Sequence, residues 1–205
     1  MANNVLLEER WNARSHAIGA LLALCGVVLL FSTPMGHELQ LGMLAYGASL
    51  VLLFVSSTIY HATSNPKRKT KLRILDHISI YYLIAGTYTP VCMTLLAPSR
   101  GVLLLWLVWG IAVFGTFMKL FFTGKYEVFS LVLYGVMGWL IVIDLIALIK
   151  IATTYQLTTL AFGGAFYTIG IIFYATRAIP FNHFIWHLFV LAGATSHWLL
   201  IYSLV

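Results

Sequence analysis

The sequence predicts an all-α fold, a polytopic bundle of seven transmembrane helices forming one domain over residues 1–205, and three observations carry that prediction. Hydrophobic residues make up 61% of the chain and charged residues 9%, against roughly 25% charged in soluble domains. Mean hydropathy is +0.93. The apolar residues are gathered into seven runs, most of about 20 residues, separated by short turn-forming segments.

The first run, 17–33, is short for a span and becomes adequate if Ser15 and His16 reach the headgroups. No small-residue cleavage site follows it, so it is expected to be retained rather than removed as a signal peptide. Thr33-Pro34-Met35-Gly36 breaks the chain before a second run over 41–60, which ends at His61 and Asn65-Pro66. The third run, 74–96, contains Pro90, expected to kink a helix whose neighbouring threonines satisfy the freed carbonyls. Pro98-Ser99 and Thr123-Gly124 bracket the fourth run, 101–122. The fifth, 128–149, carries Asp144, expected to snorkel to the interface or bond within the bundle. Gly135 and Gly138 in that run, like Gly163, Tyr167, Gly170 and Tyr174 in the sixth run (157–174), are expected to pack closely against neighbouring helices. Ile179-Pro180 precedes the seventh run, 184–205. Runs of this length satisfy their own backbone hydrogen bonds as helices, and the connections leave no room for a soluble domain.

The twelve Lys and Arg residues sort unevenly when the seven runs are threaded back and forth. Arg10, Arg14, Lys67, Arg68, Lys69, Lys71, Arg73, Lys119, Lys125 and Arg177 fall on one side; Arg100 and Lys150 fall on the other. The positive-inside rule then places the N-terminus in the cytoplasm and the C-terminus outside. The net charge of +6 is thus a topology signal. No soluble basic face exists to bind nucleic acid, and that partner is excluded. Cys25 and Cys92 lie inside apolar runs, with neither metal nor disulfide spacing.

Ionisable groups within a membrane need a reason to be there. The same threading brings His61, Asp76, His183 and His187, from three different spans, to one depth at the cytoplasmic end. His183 and His187 are four apart and share a helix face. With a third imidazole they would leave a fourth tetrahedral position for water, and zinc suits such ligands. The competing reading is interfacial histidines that bond backbone or headgroups. Ser57, four residues before His61, either orients a metal-bound water or bonds a helix carbonyl. Asp76 either serves the site or caps its helix. His37 is expected to be solvated in an outer loop.

Together these motifs, Ser57-x3-His61, Leu75-Asp76-His77 ahead of Ala85-Gly86-Thr87-Tyr88-Thr89-Pro90, and Ile179-Pro180-Phe181-Asn182-His183-x3-His187, resemble the haemolysin III family. That family is grouped with the progestin and adipoQ receptors and more distantly with the alkaline ceramidases. The resemblance covers nearly the whole chain and implies a seven-helix bundle with Zn2+ near the cytoplasmic face of the cell membrane. It implies His61, His183 and His187 as ligands, Asp76 holding the water and Ser57 beside it. His197 matches a family histidine deeper in the last span and is expected in the pocket or in packing. His16 is expected at the site mouth, or in a capping or headgroup role. The ceramidase relatives imply hydrolysis of a membrane-lipid amide or ester, with Asp76 and Ser57 as catalytic candidates. The receptor relatives imply a non-enzymatic lipid sensor with structural zinc. The family name implies cytolysis by pore formation, for which the residues offer little.

Overall fold

The computed structural model describes residues 2–176 and 178–205, with side chains from residue 5 onward. Arg177, counted among the cations above, lies outside the described residues. Every regular element among them is helical: α1 (Ala2–Phe31), α2 (His37–Ala62), α3 (Pro66–Met93), α4 (Gly101–Phe122), α5 (Glu127–Trp139), a 3₁₀ segment (Leu140–Asp144), α6 (Leu145–Ile151), α7 (Thr154–Ala175) and α8 (Asn182–Tyr202). With α5, the 3₁₀ segment and α6 taken as one interrupted rod, there are seven rods. Neighbours in the chain pack on one another, the fifth rod only lightly on α7, and α1 closes against α8.

Six of the seven rods are long and apolar enough to cross a membrane; α3 is not among them. It carries the densest polar content and is also the most enclosed by protein. His77, Ser79, Thr87 and Thr89 are all buried in it, because it packs against α2, α4, α5 and α8. A helix ringed by other helices meets little lipid, so its hydropathy falls while its burial rises. By contrast Trp106, Val128 and Ile146 are more than 70% exposed, as side chains facing lipid should be. Two buried clusters hold the bundle. One joins Tyr46, Leu50 and Phe54 to Val190 and Ala194; the other joins Tyr81 and Tyr88 to Leu104, Val108 and Met137.

The first and third spans begin earlier than their apolar runs. α1 is continuous from Ala2, so Glu8 to His16 are not a headgroup edge but helical turns packed on α2 and α8. The basic stretch from Lys67 to Arg73 forms the first turns of α3, started by Pro66 and capped by the Asn65 side chain, which accepts from the Arg68 N–H at 3.1 Å. That cap leaves Asp76 well inside the helix, which removes the capping role considered for it. α3 continues past Pro90 to Met93.

A break in α-helical geometry falls in the fifth rod, where Ile141, Val142 and Ile143 tighten into 3₁₀ geometry. Consecutive β-branched residues are indifferent helix formers, and side chains from elsewhere hold the break open. The Tyr88 hydroxyl donates to Gly138 O at 3.1 Å and accepts from the Ile141 N–H at 2.8 Å. Asp144 is buried and accepts from Ser99 Oγ at 2.5 Å and the Arg100 N–H at 2.8 Å. It bonds within the bundle and does not snorkel. Gly163 and Gly170 pack as expected, against His197 and Trp186. Gly135 and Gly138 do not: a Cβ at either would meet nothing within 4 Å, because the interrupted rod stands off from α7 and flanks a cavity.

Candidate metal centre

The end of α2 and the start of α8 meet at the end of the bundle that carries the N-terminus. His61, His183 and His187 converge there, with ligand-capable atoms all within 4.8 Å of one another. The ring centroids lie 4.8 to 5.1 Å apart. Nitrogens bound tetrahedrally to zinc at about 2.1 Å sit about 3.4 Å apart, so small side-chain rotations complete a coordination sphere. His61 and His187 are buried, and His61 Nε2 has no hydrogen-bond partner. A buried imidazole nitrogen without a partner is costly unless something binds it. The cluster can hold a metal ion.

Local structure presents these rings. α8 starts at Phe181, whose φ of 57° is left-handed and disfavoured for a bulky residue. Two contacts hold this sharp entry. The Asn182 side chain donates to Phe173 O at 3.1 Å, and the His183 N–H donates to Glu8 Oε1 at 3.1 Å. His183 thus stands in the first turn of α8, with His187 one turn further along the same face.

Asp76 and Ser57 line the same cavity as His183 and His187, and the Ser57 hydroxyl is a neighbour of the Asp76 carboxyl. Asp76 does not belong to the group of mutually close ligand atoms. The cavity encloses about 760 Å³, within the range of small-molecule sites. Its imidazole end gives way to an apolar barrel lined by Leu131, Ile141, Leu157, Leu160 and Leu200. From His187 to Leu200 the wall runs roughly 20 Å along α8, at 1.5 Å per residue. His197 also lines it, close to Gly163 and 3.4 Å from Leu160 O, which fits the pocket and packing role expected of it. His37 is exposed at the start of α2.

Apart from His16, expected at the site mouth and found lining the cavity, the sequence reading missed what α1 contributes. His61 Nδ1 lies 3.0 Å from Glu9 Oε2, and Lys69 Nζ lies 2.7 Å from the same oxygen. His187 Nδ1 is 3.3 Å from Asn12 O and 3.5 Å from Ser15 Oγ. His16 is buried rather than capping or reaching headgroups, and it stacks on His187 at 3.6 Å and 14°. Neither of its ring nitrogens has a hydrogen-bond partner. The available signal was the spacing of Glu9, Asn12 and His16, which is helical. A second network was also missed. Glu127 accepts from Lys119 at 2.7 Å, Arg73 at 3.1 Å and the Gly124 N–H at 2.9 Å. Lys119, counted above among the cations of one side, is 2% exposed and tied into the bundle.

The chain is 39% identical over 190 residues to Hemolysin-3 of Bacillus cereus, covering 91% of this chain and 87% of that one. It is 40% identical over 192 residues to the Hemolysin-3 homolog of Bacillus subtilis strain 168, covering 92% and 90%. It is 31% identical over 205 residues to the human monocyte to macrophage differentiation factor, covering 96% and 84%. No solved structure gives a significant match. The family described as "Haemolysin-III related" matches residues 4–198, a stretch that contains every histidine of the cluster, and the chain belongs to that family.

Proposed function

We propose that the histidine cluster holds zinc and that the protein is a zinc-dependent hydrolase of lipid amide or ester bonds, working within the membrane. One observation carries this reading: three imidazoles converge on the polar end of a long, otherwise apolar cavity. An all-imidazole donor set suits zinc. When bound, zinc with an open position supplies Lewis-acid polarisation and a nucleophile at neutral pH.

The chain's own residues would do the rest. The apolar wall from Leu131 to Leu200 takes an acyl chain and excludes water. Asp76 accepts a proton at its carboxylate, and the Ser57 hydroxyl donates to that carboxylate and orients it. A lipid would enter between the interrupted fifth rod and α7. There Trp139 Nε1 donates to Thr168 Oγ1 at 3.3 Å, and Gly135, Gly138 and Gly164 stand over open space. The excess of cations at this end supports an N-terminus and a metal site facing the cytoplasm.

Purified protein, incubated with lipid amides and esters, is expected to release fatty acid. Asp76→Ala should lose that release while keeping zinc, and His187→Ala should lose both. The clasp of α2 and α8 around the cluster favours a second reading, structural zinc in a membrane-lipid sensor. Unchanged lipid turnover in Asp76→Ala, with zinc intact, would select it. The name of the Bacillus cereus relative points to haemolysis; solute release from red cells by native but not denatured protein tests that.

A further inference from the structure

Glu9, Asn12 and His16 recur every three or four residues along α1, so they share one face, and that face lies against the histidine cluster without adding a ligand to it. A carboxylate oxygen can only accept a hydrogen bond. The 3.0 Å contact between Glu9 Oε2 and His61 Nδ1 therefore puts the ring proton on Nδ1 and leaves the Nε2 lone pair free. Nε2 is the atom that is buried without a partner. The Asn12 carbonyl does the same for His187 Nδ1 across a longer 3.3 Å contact. Of these two anchors only Glu9 is charged. Lys69 donates to the same oxygen at 2.7 Å.

We infer that Glu9 is a positioning residue of the metal centre: its carboxylate fixes the tautomer and aim of His61, so that α1 sets metal affinity from outside the ligand sphere. This rests on the metal reading above. Carboxylates behind ligating histidines raise metal affinity about 10- to 100-fold. The alternative is that Glu9 and Lys69 only tie α1 to α3.

Three purified full-length proteins separate these ideas by competition of zinc against a chelator of known affinity: wild type, Glu9→Gln and Lys69→Met. Glu9→Gln should bind zinc about 10- to 100-fold more weakly, whereas Lys69→Met should stay within a few-fold of wild type. Equal losses in both variants would make the pair a mere tie and overturn the inference, as would wild-type affinity in Glu9→Gln. A measurement on metal-free wild type needs no variant to fold. Imidazole ¹⁵N resonances should show His61, assigned by its loss in His61→Asn, protonated at Nδ1 and bare at Nε2. The opposite tautomer would overturn the inference. Wild type that binds no zinc sinks the metal reading and this inference together; zinc-binding wild type with an indifferent Glu9→Gln sinks the inference alone.

Discussion

Removing the single hydroxyl of Tyr88 tests whether the interruption in the fifth rod is a built feature. Tyr88 is 7% exposed, and its hydroxyl serves two backbone groups of that rod at once: Gly138 O at 3.1 Å and the Ile141 N–H at 2.8 Å. Tyr88→Phe keeps the ring and its packing while leaving both groups without their partner, at a depth where water is scarce. Side-chain hydrogen bonds between membrane helices average about 0.6 and reach about 1.7 kcal/mol, so two give about 1.2 to 3.4 kcal/mol. The upper part of that range is expected, because unsatisfied buried backbone groups cost about 1–3 kcal/mol each and neighbouring helical carbonyls already have donors. Reversible unfolding in mixed detergent micelles should show a loss of about 2–3 kcal/mol. A loss below about 0.5 kcal/mol would place the variant among ordinary neutral substitutions and refute the idea that Tyr88 holds the break.

Two further outcomes follow from the same geometry. Glu127→Gln strands Lys119, whose side chain is 3% exposed. The expected cost is about 3 kcal/mol, with more than half recovered when Lys119→Met is added; unchanged thermal stability in the single variant would count against the network. Gly138→Leu points a side chain into open space beside the cavity. It should lower lipid binding about tenfold, equivalent to about 1.4 kcal/mol, while zinc content and melting temperature hold. Undiminished lipid binding in that variant would place the ligand elsewhere.

The bundle was legible because lipid imposes a simple rule, and every helix that meets lipid obeys it. The rule misplaces boundaries where a helix faces protein instead. Ser15 and His16 lowered local hydropathy and were read as a headgroup edge, yet with Asn12 they are buried on the inward face of α1. The polar turns of α3 were read as a loop and a late start for the same reason. Spacing and the back-and-forth threading brought His61, Asp76, His183 and His187 to one depth, and the resemblance to the haemolysin III family singled out the three histidines as ligands. Glu9 was not legible: its helical spacing to Asn12 and His16 places it on their face, but spacing does not separate a carboxylate that backs a ligand from one at a membrane surface. The break at Ile141 was also hidden: the stretch is apolar throughout, and the residues that hold it, Tyr88 and Ser99, lie on other segments.

Metal content tests the central claim most directly. Wild-type protein, purified without chelators, should carry close to one zinc per chain, and the His61/His183/His187 triple alanine variant should carry none while keeping its helical content. Wild type that stays empty after incubation with zinc, or a triple variant that retains it, would contradict the account.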